Sequence, residues 1–257
     1  MSVILKNISN STIYTFPGGV DLVAEPFTKR LDTESRAFAH GGVIVSDQKI
    51  GVRIVSVHGI FGKASQALVE TELNSMTKAV YTEDLRLYAT QNEDDFYKVE
   101  CLSFDHTFLG KITIAEINID FICSDPFKYY KDVTTDTETV NEASESMTVT
   151  NGGDVECFPI ITFTAGAGSN ISVVRITNTT DAGKYFEYTP ASNLTSGHVL
   201  EIDCEEGTVG LNGSDDMAHF NAGQFIKLLS GSNSLVAAIT GTVGTNQCVF
   251  VFRNRWL

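Results

Sequence analysis

Hydrophobic residues in this chain recur mostly at every second position, in short runs cut by Gly, Asn and Asp. Ile117, Ile119, Phe121 and Cys123 alternate with Glu116, Asn118 and Asp120, the period of a half-buried strand. Runs at 42–45 and 52–57 have the same character. Segments 84–89 and 96–102 predict a hairpin about the acidic loop Asn92-Glu93-Asp94-Asp95, and 112–123 closes this part of the chain. Turn signals are Gly18-Gly19, 21–26, Gly41-Gly42 and Ser46-Asp47. One stretch departs from period two. Within 63–81, Val69, Leu73, Met76 and Val80 follow one another by four, three and four residues and fall on one helical face, with Ser65, Glu70, Glu72 and Lys78 pointing elsewhere.

The second half is β in pattern throughout. Candidate strands cover 147–150, 159–163, 171–178, 184–189, 199–203, 208–211, 235–240 and 248–255. Turn signals such as Asn151-Gly152-Gly153, Ser196-Gly197, Glu206-Gly207 and Asn212-Gly213 separate them. Short strands so punctuated indicate a sandwich or jelly roll. Between the halves, 128–147 is acidic and rich in Thr and Ser; it reads either as a linker or as an exposed strand with only Val133 and Val140 buried. The expected fold is therefore mainly β: an N-terminal β-rich domain with one α-helix over 1–130, and a C-terminal β-sandwich over 131–257.

Charge narrows the function classes. Residues 1–130 carry 12 basic and 17 acidic side chains, and residues 131–257 carry 6 and 15, for a net charge of −14. Affinity for a phosphate backbone comes mainly from Lys and Arg, so nucleic-acid binding is not expected. A negative surface suits instead a conduit through which DNA slides without sticking. No apolar run approaches the roughly 20 residues of a membrane span, and 1–10 lacks the apolar core of a secretory leader, so neither membrane insertion nor secretion is expected. The five cysteines, Cys101, Cys123, Cys157, Cys204 and Cys248, form no Cys-x-x-Cys pair and sit mostly in apolar runs. They read as buried, reduced thiols.

Catalytic constellations are not legible. There is no phosphate loop, dinucleotide fingerprint or nucleophile elbow. Gly166-Ala167-Gly168 lies between strand candidates as a hairpin loop. His40, His58, His106, His198 and His219 stand singly. The acidic loop at 92–95 lacks the alternating ligands and central glycine of a calcium loop. Asp203-Cys204-Glu205-Glu206 sets three carboxylates beside a thiol, but with Ile202 and Cys204 inward it reads as a strand ending in a charged turn. No catalytic residue, cofactor or metal site is expected.

The segment Phe121-Ile122-Cys123-Ser124-Asp125-Pro126-Phe127 resembles the Phe-x-Cys-x-Asp-Pro-Phe signature near the middle of phage distal tail proteins, the Dit family of long-tailed, siphovirus-type phages. Further pieces follow in the same order: Thr150-Asn151-Gly152-Gly153; Phe158-Pro159-Ile160-Ile161; 197–204, ending Ile202-Asp203-Cys204; the turn Asn212-Gly213; 225–233, with Gly231 and Asn233; and the closing 250–256. Ser230 departs from the pattern, standing where a proline often precedes that glycine, which bears on the rigidity of the turn. The resemblance implies a virion protein at the distal end of a phage tail, made in the host cytoplasm, with no enzymatic activity. It implies a homohexameric ring formed by the N-terminal domains, joining the tail tube protein to the tail hub, with a central channel for DNA. It also implies a galectin-like C-terminal sandwich where receptor-binding proteins dock, and contact with the tape measure protein. Phe121, Cys123, Asp125, Pro126, Phe127, Asp203, Cys204, Asn212, Gly213, Gly231 and Asn233 are then structural motif residues. Enlarged members of the family carry an inserted carbohydrate-binding module; the strand spacing here leaves no room for one, so direct saccharide binding is not implied.

Two other functions compete. Jelly rolls and galectin-like sandwiches often bind sugars, and a carbohydrate-binding module for host-surface glycans would use an exposed aromatic beside amide and carboxylate groups. Tyr185 and Tyr188 are the candidate platforms, since the sole tryptophan, Trp256, lies next to the terminus. A hydrolase would need two carboxylates converging in a cleft.

Overall fold

The computed structural model describes residues 3–29, 33–35, 42–44, 49–89, 94–110 and 112–257. His40, the turns at Gly41 and at Ser46-Asp47, Val45, and Asn92 and Glu93 of the acidic loop lie outside the described residues. Contacts divide the chain into two compact units, Met1–Lys131 with Leu257, and Asp132–Trp256.

The first unit contains β1 (Val3–Lys6), β2 (Thr12–Thr15), β3 (Val20–Ala24), β4 (Thr33–Ser35), β5 (Gly42–Ile44) and β6 (Arg53–Gly62). Helix α1 (Gln66–Val80) follows, then β7 (Leu85–Ala89), β8 (Asp95–Phe108), β9 (Ile114–Cys123) and β10 (Lys128–Tyr130). The main path is β2-β1-β7-β8-β9-β6-β3, antiparallel at every step, while β4 and β5 pair with each other. The long β8 spans two partners: residues up to Val99 pair with β7, and Glu100 onward pairs with β9. The register slips between Cys101 and Ser103, leaving Leu102 58% exposed. Such a bulge bends a strand and raises its twist, so one strand can serve two parts of the same wall.

Helix α1 closes the core. Ser65 begins it by accepting the Leu68 N–H at 3.4 Å, an N-cap. Val69, Leu73, Met76 and Val80 are buried as their spacing predicts, and Ala79 joins them. They pack with Val3, Leu5, Val55, Val57, Leu87, Val99, Ile117 and Ile119 in a single cluster. Glu72 ties the helix to the sheet, pairing with Lys63 at 2.7 Å and accepting the Tyr14 hydroxyl.

The second unit is a sandwich. Its strands are β11 (Thr134–Val140), β12 (Ser144–Asn151), β13 (Ile160–Thr164), β14 (Asn170–Asn178), β15 (Lys184–Tyr188) and β16 (Leu194–Thr195). They continue with β17 (Val199–Asp203), β18 (Thr208–Leu211), β19 (Ser214–Asp215), β20 (Phe220–Gly223), β21 (Gly231–Thr242) and β22 (Asn246–Phe252). One sheet runs β11-β22-β13-β17-β18-β19; the other runs β12-β21-β14-β15-β20, with β16 against β14. Phe163 and Phe250 of the first sheet share a core with Ile176, Phe186 and Tyr188 of the second. Burying each phenylalanine fully contributes about 1.5–3 kcal/mol. The expectation of a mainly β chain with one helix holds for the described residues.

Two local expectations change, and one open alternative is decided. Residues 21–26, expected as a turn, begin inside β3, which pairs in register with β6 from Val20↔Gly59 to Ala24↔Val55. Asp21 and Glu25 mask a strand whose inner positions are Val20 and the half-buried Leu22 and Ala24. The Thr-rich segment after residue 131 is strand β11, paired along its whole length with β22. Val140 is buried as expected, but Val133 is 51% exposed. It precedes the first paired residue, so strand alternation does not extend to it.

All five cysteines are free, four buried and Cys101 half-buried. Burial pushes the thiols of Cys123, Cys157 and Cys204 up to about 12, and Cys248 higher still. The thiolate is the reactive form. Ellman's reagent at pH 8 should therefore modify less than one thiol per native chain, and all five in guanidinium. Fast reaction of two or more native thiols would contradict this burial.

Candidate functional site

The motif residues fall into separate clusters, each solving a local backbone problem. At the end of β9, Phe121 and Cys123 point inward and are fully buried, opposite Val55 and Arg53 of β6. Asp125 then organises the exit. Its Oδ1 accepts the Phe127 N–H at 3.3 Å, bridging Pro126, and its Oδ2 accepts the Tyr129 hydroxyl. Pro126 cannot donate to a ladder, so the carboxylate takes over where strand pairing stops. Tyr129 stacks on Phe96 with ring centres 5.7 Å apart, and Phe127 lies 6.2 Å from Phe27. The Arg53 guanidinium covers the other ring of that pair, 4.2 Å from the centre of Phe27.

In the sandwich, Ile202 and Cys204 point inward, as the alternation predicts. Asp203 Oδ1 accepts the backbone N–H groups of Glu205 and Glu206, both at 2.9 Å. The three neighbouring carboxylates are thus a capped turn. Asn212 and Gly213 form the two-residue loop between Leu211 and Ser214, with φ of 52° and 77°. Positive φ at both positions is what a tight hairpin of this hand requires, and Asn-Gly supplies it at least cost. Asn212 also accepts the Val199 N–H at 2.9 Å.

The largest cluster is built from buried amides. Asn233, fully buried, donates to Leu229 O at 2.8 Å and Gly231 O at 3.0 Å, and accepts the Leu229 N–H at 2.9 Å. Asn178 donates to Asn233 Oδ1 at 3.2 Å and to Lys227 O at 2.8 Å. Asn151 reaches Val155 O and Leu228 O, and Asn246 links Val140 O, Gly244 O, the Gly166 N–H and the Ser169 hydroxyl. The buried hydrogen bonds of Asn178, Asn151 and Asn246 were not legible from sequence, although Asn151 stands in a motif segment; their partners lie up to 106 residues away. Ser230 replaces rigidity of one kind by another: its hydroxyl donates to Gly153 O at 2.6 Å, pinning the turn that Gly231 completes with a φ of 88°.

The histidines behave diversely. His219 Nδ1 lies 2.6 Å from Asp216 Oδ1, and Tyr188 donates its hydroxyl to Asp216 Oδ2. Burial raises the Asp216 carboxyl, but the bonds from Tyr188 and His219 outweigh that and hold it below the usual range. Burial first, and then the bond to the Asp216 carboxylate, push Tyr188 upward. A spacing of three between Asp216 and His219 was the available sequence signal. Among the described residues no group of three or more His, Cys, Asp or Glu could hold a metal ion.

Residues 152–256 match the family model described as the siphovirus-type tail component, C-terminal domain. The match spans most of the C-terminal unit. With this match, the resemblance to phage tail proteins no longer rests on the Asp-Pro-Phe motif alone. The whole chain shares its fold with the SPP1 Dit (gp 19.1) protein, a paradigm of the hub adsorption apparatus in phages infecting Gram-positive bacteria. The TM-score is 0.76, with 16% identity and 99% of each chain covered. A chain of the phage P2 baseplate in its activated conformation with Ca is more distant, at a TM-score of 0.46 and 8% identity, with 98% of this chain and 97% of that chain covered. No curated protein matches the sequence.

Replacing Asn233 tests the amide cluster. Asn233→Ala leaves the Leu229 N–H and two carbonyls without their partner and should cost about 2–4 kcal/mol in guanidinium unfolding. Asn233→Asp sets a carboxylate against the Leu229 and Gly231 carbonyls, raising its folded pKa above the unfolded value of about 3.9. Its stability should therefore fall as pH rises from about 4 towards neutrality. Wild-type stability for both variants would remove the amide cluster from this role.

Proposed function

We propose that this chain is the ring adaptor at the distal end of a siphovirus-type tail. It joins the tail tube protein to the tail hub and the receptor-binding apparatus, and leaves a central channel through which DNA passes. The observation that carries this reading is the family match over 152–256, supported by a full-length fold shared with SPP1 Dit. The site chemistry agrees, because the motif residues cap turns and fill cores. No catalytic step is proposed.

The outer face of β3-β6-β9-β8 suits the wall of such a channel. Cross-strand register sets Asp21, His58, Asn118 and Asp105 in one row. The next row holds Ser56, Asp120 and Ser103, with Ser56 Oγ donating to Asp120 Oδ1 at 2.6 Å, and Glu116 stands opposite Thr107. Neither lysine nor arginine occurs in these rows. Rows of carboxylates without cations repel a phosphate backbone instead of releasing its counterions. The sheet path ends in β2 and β3, and Val23 on β3 is half exposed. A ring of head-to-tail copies covers such edges when the rotation per subunit closes. The tape measure protein and receptor-binding proteins are further partners of this assembly.

Light scattering after size exclusion, with negative-stain images of the same fraction, tests the proposal. The expected mass is six times the 28.0 kDa of one chain, in particles with six-fold symmetry and a central hole. A species that stays monomeric at every concentration, with and without tail tube protein, would exclude the ring.

A further inference from the structure

The outer face of the sheet containing β14, β15 and β20 carries a fixed polar cluster that the tail-adaptor reading does not use. Arg175 on β14 and Glu187 on β15 are direct cross-strand partners, and Tyr185 stands two residues from Glu187 on the same face. The Arg175 guanidinium lies 3.7 Å from the centre of the Tyr185 ring. Its Nε is 3.6 Å from Glu187 Oε2, while the Asn221 amide donates to Glu187 Oε1 at 2.5 Å. A separation of 3.6 Å is too long for a hydrogen bond, and Arg175 Nε is buried without one. Charge and the aromatic face hold the guanidinium, so the pair keeps both donor and acceptor capacity. On the other side of Arg175 the side chains are small and apolar: its partner on β21 is Ala238, and Val236 stands opposite Thr177.

The charge of this cluster selects its ligand class. One guanidinium and one carboxylate cancel, and the surrounding unit is acidic, with 6 basic and 15 acidic residues over 131–257. A polyanion is repelled by that excess, and a cation finds the carboxylate already matched by Arg175. A neutral molecule with adjacent hydroxyls satisfies both members at once. One hydroxyl donates to Glu187, its neighbour accepts from Arg175, and the carbon face rests on Ala238 and Val236 across Arg175 from the aromatic ring. We propose that this cluster is a binding site for a neutral saccharide. It needs no inserted module, because the sheet itself supplies every group.

The test uses the full chain. Maltotriose, lactose, cellobiose and chitotriose serve as neutral probes and a heparin tetrasaccharide as the anionic one, followed by saturation-transfer NMR and calorimetry. Saturable binding of at least one neutral sugar is expected, with a Kd of about 1 mM or tighter. It should weaken at least tenfold in Arg175→Gln and in Glu187→Gln, each with its folding checked by thermal unfolding. The wild-type Arg175 side-chain NMR signal should also shift on sugar addition, a readout that survives even where a variant fails to fold. Absence of saturable binding to all four neutral sugars would overturn the proposal. So would binding retained in both folded variants, an Arg175 signal unmoved by sugar, or binding of heparin alone. The ring can stand in each of these cases, since its test reads mass and symmetry.

Discussion

The C-terminal sandwich depends on satisfying backbone groups where chain segments cross the ends of two packed sheets. A loop buried at such an end brings N–H and C=O groups that water cannot reach, and each one left unpaired costs about 1–3 kcal/mol. Asn151, Asn178, Asn233 and Asn246, each no more than 1% exposed, meet that need. A single amide offers two donors and a carbonyl acceptor, so one side chain can close a turn and tie it to a distant strand. Asn246 does so between β11, the loop before β14 and the start of β22. With those ends pinned, the aromatic core between the sheets has a single register to fill.

The N-terminal unit solves a different problem with a different device. Its wall is one long antiparallel path, and β8 keeps that path continuous while changing partners at the bulge near Leu102. Helix α1 seals the open core, and its tie through Glu72 to Tyr14 and Lys63 sets where it lies. At the end of β9 the carboxylate of Asp125 replaces ladder pairing that Pro126 cannot make. The Asp-Pro-Phe segment therefore has a mechanical meaning. It ends a strand firmly and leaves aromatic side chains in defined places.

A structural tail protein needs rigidity at its turns more than a reactive centre, and the side-chain chemistry follows that need. Four of the five thiols are buried and held protonated, and the charged run at Asp203 is a cap. The Tyr188, Asp216 and His219 cluster is fixed by mutual hydrogen bonds. Ser230 illustrates how such a turn tolerates change: a hydroxyl bond to Gly153 holds the chain where a ring would otherwise restrict φ. Polar groups that stay on the surface, the carboxylate rows of β3-β6-β9-β8 and the Arg175 cluster, are those free to meet other molecules.

Periodicity alone determined the mainly β character of the chain, the inward positions of β9, the buried face of α1 at Val69, Leu73, Met76 and Val80, and most strands of the sandwich. Each of these rests on spacing within one segment, where side chains two, three or four residues apart must share a face. The Asn212-Gly213 turn and the Asp203 cap were legible for the same reason, since their partners are near in sequence. Strand β3 was hidden because Asp21 and Glu25 imitate a turn, and β11 was left between strand and linker because an edge strand facing water needs few apolar residues. The asparagine cluster, the Asp125 bond to Tyr129, the carboxylate rows and the Arg175, Glu187 and Asn221 contact were decided by tertiary structure. Most of them join groups tens of residues apart, and hydrogen bonds of that span leave no periodic trace in a sequence; they exist only once sheet register has set which strands lie side by side.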